Sequence, residues 1–195
     1  MKNSALANSP SKVPQRGVAA VEFALVAIPF FLLLFGAMEL GRLLYLWNTV
    51  QEVTRHAARQ AVVTNFKDPT ALAAIKQSAV FRVNAGTLPA APEISDSNVV
   101  IRYLNGAGAV ASPMPTDPND NIAACLDSER VAACIRFVEV CLSTGSTCSP
   151  KELIPFQPMI GLFSTSGANS TDFSGIRIPL STVRMPAESL GYTVP

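Results

Sequence analysis

A long apolar segment close to the N-terminus constrains this chain more than any other feature. No charged residue occurs from Phe23 to Met38, and a helix of these sixteen residues covers roughly 24 Å of a hydrocarbon core about 30 Å thick. The stretch from Leu40 to Trp47 supplies the remaining length. A cleavable signal peptide has a shorter apolar core that ends at a small-residue cleavage site. The continuous run therefore predicts a retained, single-pass transmembrane helix in contact with the lipid bilayer.

The distribution of charge predicts the orientation of that helix. Residues 1–17 contain Lys2, Lys12 and Arg16 without an acidic residue, whereas residues 67–195 carry a net charge of −2. Positively charged flanks stay in the cytoplasm. We expect a basic leader at 1–17, a transmembrane helix with an amphipathic extension at 18–66, and an exported periplasmic domain at 67–195. This domain lacks the basic cluster that a nucleic-acid partner requires.

Four cysteines, all in the exported region, indicate an oxidising compartment. They are Cys125, Cys134, Cys141 and Cys148, and no two of them form the CxxC spacing of a zinc ribbon or a thioredoxin-type site. We therefore expect two disulfides and no metal. Three pairings are possible; the intervening turn-like sequence favours Cys141 with Cys148, which leaves Cys125 with Cys134, and free buried thiols are the alternative.

Apolar periodicity and β-branched runs predict an α+β fold. The first helix should continue to Val63, with a buried stripe at three- and four-residue spacing that includes Trp47, and a second should run from Pro69 to a C-cap at Gly86. Three runs are rich in strand-forming residues: Asn98–Leu104, Ile135–Leu142 and Ile176–Met185. Helices followed by strands favour an antiparallel sheet, and residues 105–124 and 164–175 are predicted to be loops.

Few residues in the sequence are candidates for a catalytic or cofactor-binding site. His56, the only histidine, lies on the polar face of the first helix without partners for acid–base work, and Gly106 and Gly108 lack the third glycine of a dinucleotide loop. Glu39 and Arg42 have the spacing of a local ion pair within the membrane anchor. These residues predict neither an active site nor a cofactor site, so we do not expect an enzyme.

Glu22 is the charged residue that an ordinary anchor does not explain. A carboxylate at the rim of the hydrocarbon is costly without a partner, and no basic residue follows it by one helical turn. Cleavage after Gly17 would create an amine at Val18 that could balance the charge of Glu22. The alternative is that Glu22 simply lies among the cytoplasmic headgroups.

At these residues the chain resembles a known family. Gly17 followed by VAAVEF, which contains Val18, Glu22 and Phe23, resembles the processing site of prepilin-like proteins in tight-adherence (Tad) pilus systems. The longer run to the AAR of the first helix resembles the N-terminal signature of TadE-like pseudopilins. The resemblance implies a pilin-like α+β fold, cleavage between Gly17 and Val18, and a role in assembling an adhesive Tad/Flp-type pilus.

The same resemblance implies a set of partners. They are a prepilin peptidase, an inner-membrane assembly platform, and other pilins or pseudopilins. Phe23 replaces the tyrosine of the major Flp pilins and the chain is much longer than those proteins, so a minor pilin is expected. The alternatives are a membrane-tethered periplasmic hydrolase, which would need a polar cluster in residues 98–195, and a periplasmic binding module, which would need a ligand pocket.

Overall fold

The structure is a computed structural model of the 195-residue chain and describes residues 17–159 and 175–192. The predicted leader, apart from Gly17, lies outside the described residues, as does most of the predicted loop at 164–175. The described elements confirm the predicted α+β class. In chain order they are α1 (Val18–Ala61), α2 (Pro69–Ala79), β1 (Thr87–Leu88), β2 (Ala91–Ser95), a 3-10 turn (Asp96–Asn98), β3 (Val99–Leu104), α3 (Pro118–Leu126), β4 (Phe137–Leu142) and β5 (Thr182–Pro186).

The helix α1 contributes to two compact units, one that ends at Met38 and one that begins at Glu39. In the first unit the helix is apolar on all sides and includes Pro29. Its most apolar eighteen-residue window is entirely unburied, and α1 is the one helix in the described part of the chain that is long and apolar enough to cross a membrane. This segment fits a single-pass membrane protein.

In the second unit α1 is amphipathic. Its buried residues recur at spacings of three and four, the period of one helix face: Leu46, Val50, Val53, Thr54, Ala57, Ala58 and Ala61. The prediction that Trp47 belongs to this stripe is wrong, because Trp47 is exposed and Leu46 is buried in its place. Leu46 lies one full turn before Val50, whereas Trp47 falls at the edge of the stripe.

An antiparallel sheet with the order β3-β4-β5 packs its apolar face into the same core as this stripe. The register aligns Tyr103 with Val138 and Val138 with Met185. Because side chains alternate across a strand, Val138 and Val140 share the core face while Glu139 lies on the opposite face. The first two predicted strands are present as β3 and β4, but the third is shorter than predicted and begins at Thr182, after Pro179. Proline lacks the N–H that ladder pairing requires.

The helix α2 begins as predicted and ends earlier. Asp68 accepts hydrogen bonds from the amides of Thr70 and Ala71, and Pro69 occupies the first helical position, where proline is favoured. The predicted C-cap at Gly86 is wrong. Phe81 has a φ of 58°, and the amides of Phe81 and Arg82 donate to Ser78 and Gln77. This Schellman pattern, with phenylalanine where glycine is usual, ends the helix at Ala79.

Three elements, α3, β1 and β2, occupy segments for which the sequence did not predict a helix or a strand. The predicted loop at 105–124 contains the start of α3, which Asp117 caps through the amide of Asp120 and which Pro118 opens. The short pair of β1 and β2 forms a second, two-stranded sheet. Gly191 packs against Asn65, which lies four residues after the end of α1. Its φ is 82°, and a Cβ atom at this position would lie 2.6 Å from the backbone nitrogen of Asn65, so the position requires glycine.

Candidate functional site

The predicted cleavage point lies at the start of α1. Gly17 forms a turn directly before the helix, and its carbonyl oxygen accepts the first helical hydrogen bond, from the amide of Val21 at 3.4 Å. A Cβ atom added at Gly17 would meet nothing within 4 Å. Packing among the described residues therefore does not require glycine at this position. Val18, the next residue, is half-exposed.

Glu22 and Phe23 follow on the first turns of the same helix, and both side chains are exposed. Within residues 17–159 and 175–192 no salt bridge includes Glu22. Val18 and Glu22 are four residues apart, so they occupy the same face of α1. A positive charge on the nitrogen of Val18 would thus be adjacent to the carboxylate of Glu22.

A second polar site lies where α1 enters the globular unit, and Arg42 is its centre. The guanidinium donates from Nη2 to both carboxylate oxygens of Glu93 at 2.6 Å, from Nε to the carbonyl of Ala90 at 3.0 Å, and from Nη1 to the carbonyl of Gln157. It also lies 4.9 Å from the ring centre of Phe156. The arginine thereby connects the helix to two separate loops of the globular unit.

The predicted partner of Arg42 contributes less than an unpredicted one. Glu39 approaches Arg42 at 3.8 Å, whereas Glu93 binds it at 2.6 Å with a side chain only 1% exposed. Glu39 instead accepts a hydrogen bond from the amide of Met159 at 2.7 Å. No sequence pattern indicates Glu93 as the partner, because it is 51 residues away from Arg42 along the chain and acidic residues are ordinarily exposed.

Two disulfides lie in the globular unit, and they follow the pairing that the sequence favoured. One joins Cys125 to Cys134 and the other joins Cys141 to Cys148. The second closes a loop around the carboxylate of Glu152, which accepts hydrogen bonds from the hydroxyls of Thr147 and Ser143. These bonds, with that of Thr147 foremost, lower the pKa of Glu152, because they stabilise the charged form.

Comparison with known protein families gives a match that covers Gly17 and most of α1. Residues 17–59 match the family described as TadE-like protein. This segment, which includes most of α1, is similar to the TadE-like family. No curated protein and no solved structure matches the chain. The TadE-like segment begins at Gly17 and includes Glu22, Phe23 and Arg42, whereas the three-stranded sheet and both disulfides lie beyond it.

The TadE-like match supports a role related to the Tad pilus, and such a role implies interaction with other pilus components. TadE-like pilus proteins are structural proteins rather than enzymes. The match thus agrees with the resemblance read from the sequence.

Two further polar side chains are of a type that can take part in catalysis. The Nε2 atom of His56 lies 3.3 Å from the side-chain amide nitrogen of Gln60, one helical turn later. Burial raises the pKa of Tyr103 to about 12, so its phenol stays protonated at neutral pH and cannot act as a base. In the part of the chain that the structure describes, no group of three or more His, Cys, Asp or Glu side chains is arranged to hold a metal ion.

Two open clefts lie among the described residues of the globular unit. One, about 240 Å³, lies between α1 and the edge strand β5 and is lined in part by Gln51, Arg55 and Thr182. The other, about 450 Å³, lies beside α3 and is lined in part by Leu126 and Glu188. Ligand sites usually enclose most of the ligand surface, whereas both of these clefts are open to solvent.

Proposed function

We propose that this chain is a TadE-like minor pilin, or pseudopilin, that acts in the assembly of an adhesive Tad/Flp-type pilus. A prepilin peptidase would cut between Gly17 and Val18 before the protein joins other pilins and the inner-membrane assembly platform. The observation that carries this proposal is the family match at residues 17–59, which begins at Gly17 itself.

The surroundings of Gly17 support cleavage at this point. The residue is exposed, it precedes the helix, and the described residues leave space for a Cβ atom there. A glycine that packing does not require is consistent with selection by another molecule, since a peptidase at the membrane surface needs a peptide bond without an obstructing side chain. The carbonyl of Gly17 accepts only one long hydrogen bond from the helix, so unwinding the first turn would release the bond that is cut.

Glu22 is the second feature that supports cleavage between Gly17 and Val18. Its carboxylate is exposed at the start of a segment that fits a membrane span, where an unpaired charge is costly. Cleavage would create an amine on Val18, one helical turn before Glu22. We propose that this amine neutralises Glu22 in the same molecule or in a neighbouring one, which would let processed helices pack against each other.

The proposed orientation places the N-terminus in the cytoplasm and the globular unit in the periplasm, with α1 in the inner membrane. The +3 charge of residues 1–17 supports it, because positively charged flanks are retained on the cytoplasmic side. A periplasm-active reporter fused after Pro195 should then function, and one fused before Met1 should not.

The experiment that tests the proposal is mass spectrometry of the mature N-terminus in cells that contain the pilus machinery. The wild-type chain should begin at Val18, and Gly17→Phe should retain the leader and impair pilus-dependent adhesion. Gly36→Phe is the matched control, because a Cβ atom at Gly36 also meets nothing within 4 Å; it should be processed normally. A mature wild-type chain that still begins at Met1 would refute processing at this site.

A further inference from the structure

Two segments of the globular unit bind Arg42 through backbone carbonyls. We call them the base: Pro89–Pro92, which includes the turn before β2 and its first two residues, and Gln157–Met159. All of these residues are uncharged. Three are prolines, which present no N–H to the surroundings, and Met159 is 70% exposed. Charge is abundant on ordinary water-facing surfaces, so the base has the composition of a surface that meets something other than bulk water.

Four polar backbone groups of the base bind side chains of α1. Arg42 binds the carbonyls of Ala90 and Gln157, the hydroxyl of Tyr45 donates to the carbonyl of Pro89 at 3.2 Å, and the amide of Met159 donates to Glu39. These four bonds satisfy backbone groups that would otherwise need water. The base can therefore enter a region of low water content without leaving these groups unpaired.

The length of the apolar segment sets the depth of Arg42. A hydrocarbon core about 30 Å thick takes about 20 helical residues. A core that begins at Phe23, the first residue of the charge-free run, ends at about Arg42. The arginine is only 8% exposed, and the side chains of Glu39 and Glu93 are 12% and 1% exposed. These charges are thus shielded at the boundary of the hydrocarbon core, where their contact with the acyl chains would be costly.

From these observations we infer that the base of the globular unit rests in the membrane interface, with Met159 among the lipid headgroups and upper acyl chains of the leaflet from which α1 emerges. The residues that shield Arg42 must lie at the depth of Arg42, because they touch it. The inference rests on the membrane span in the proposed function. The exposed rings of Tyr45 and Trp47 fit the aromatic belt that is usual at this depth.

Depth-dependent fluorescence quenching tests this inference on the full-length chain. All four native cysteines are in disulfides, so a single introduced cysteine can be labelled with bimane. The variant Met159→Cys is reconstituted into vesicles of phosphatidylethanolamine and phosphatidylglycerol that contain a lipid with a nitroxide near its headgroup. We expect a large loss of bimane fluorescence relative to vesicles without the nitroxide.

Two further labelled positions make the result decisive. Val63→Cys lies just beyond the far end of α1, about 28 Å or more from Arg42 along the helix, and should lose little fluorescence. Leu33→Cys, in the apolar segment, should be quenched by a nitroxide placed deep in the acyl chain. Quenching at 159 no greater than at 63, with strong quenching at 33, would overturn the inference alone. Weak quenching at 33 would overturn the membrane span as well.

Discussion

The two halves of α1 form one continuous helix but differ in how their apolar residues are distributed around the helix and in whether these residues are buried. From Phe23 to Met38 the helix is apolar on every side and leaves that surface exposed. From Leu46 to Ala61 it confines its buried residues to one face, which packs into the core with the three-stranded sheet. The difference shows that the pattern of apolar residues, more than their number, decides whether a helix needs lipid or a protein core.

The change between the two halves occurs at Glu39–Arg42, and Arg42 gives the largest predicted effect. Arg42→Met would leave the carboxylate of Glu93 buried without its cation. Removing one partner of a buried ion pair typically costs about 3 to 5 kcal/mol. We expect a loss of this size in the free energy of unfolding of the full-length chain in mild detergent, followed by circular dichroism.

Two variants separate this effect from a general loss of packing. Arg55→Met is the matched control, because Arg55 lies on the exposed face of the same helix, and it should unfold like the wild type. Adding Glu93→Met to Arg42→Met should restore much of the stability, since both charges are then gone. If the double variant were as unstable as the single one, the ion pair would not be the cause.

Substitution of one leucine in each half tests the comparison directly. Leu46 is fully buried in the core and Leu33 is 77% exposed. Leu46→Ala should lower the free energy of unfolding by about 2 to 5 kcal/mol, the usual cost of truncating a buried leucine. Leu33→Ala should change it by less than about 0.5 kcal/mol in the same detergent. Equal losses would mean that residues up to Met38 also pack against protein.

The elements that sequence analysis predicted correctly are those with strong local signals. The helix α1 follows from its apolar run, the start of α2 follows from Asp68 and Pro69, and β3 and β4 follow from β-branched residues. Each of these signals acts within a few residues of the element that it specifies, so no knowledge of tertiary contacts is needed to interpret it.

The features that were missed depend on contacts between distant segments or on an unusual residue. The end of α2 depends on Phe81 in a left-handed conformation, which few non-glycine residues adopt. The short helix α3 has local signals at its start, Asp117 and Pro118, but they fall within residues 105–124, which the sequence predicts to be a loop. Glu93, the main partner of Arg42, is 51 residues away from it along the chain, so no local pattern indicates the pair.

The same limit applies to the candidate site. The positions of Gly17, Val18, Glu22 and Phe23 could be proposed because the resemblance covers them, and their processing stays a prediction. The depth of the globular unit could not be proposed from sequence. It depends on Ala90 and Gln157, whose backbone carbonyls bind Arg42 through contacts that are 48 and 115 residues apart.

The smallest predicted effect concerns pH and the loop closed by Cys141 and Cys148, a feature of the globular unit alone. Hydrogen bonds from Thr147 and Ser143 hold the pKa of Glu152 below its ordinary value of 4.5. A carboxyl group whose pKa is lower in the folded state binds fewer protons there than in the unfolded state. Its stabilising effect is therefore fully present above about pH 4.5 and is lost as the pH falls through the lower, folded-state pKa.

Glu152→Gln should consequently be less stable than the wild type at neutral pH, and the difference should shrink as the pH drops below 4.5. The effect should be small because the carboxylate is accessible to solvent, which screens its interactions. Unfolding midpoints measured across this pH range provide the test, with Glu129→Gln as the control, because Glu129 is exposed and should show no such trend. A difference between Glu152→Gln and the wild type that stays constant with pH would show that the carboxylate charge does not stabilise this loop. In that case the stability of the loop would come from the disulfide and from hydrogen bonds between neutral groups. The pH dependence of the unfolding midpoint would then not distinguish the globular unit from the apolar half of α1.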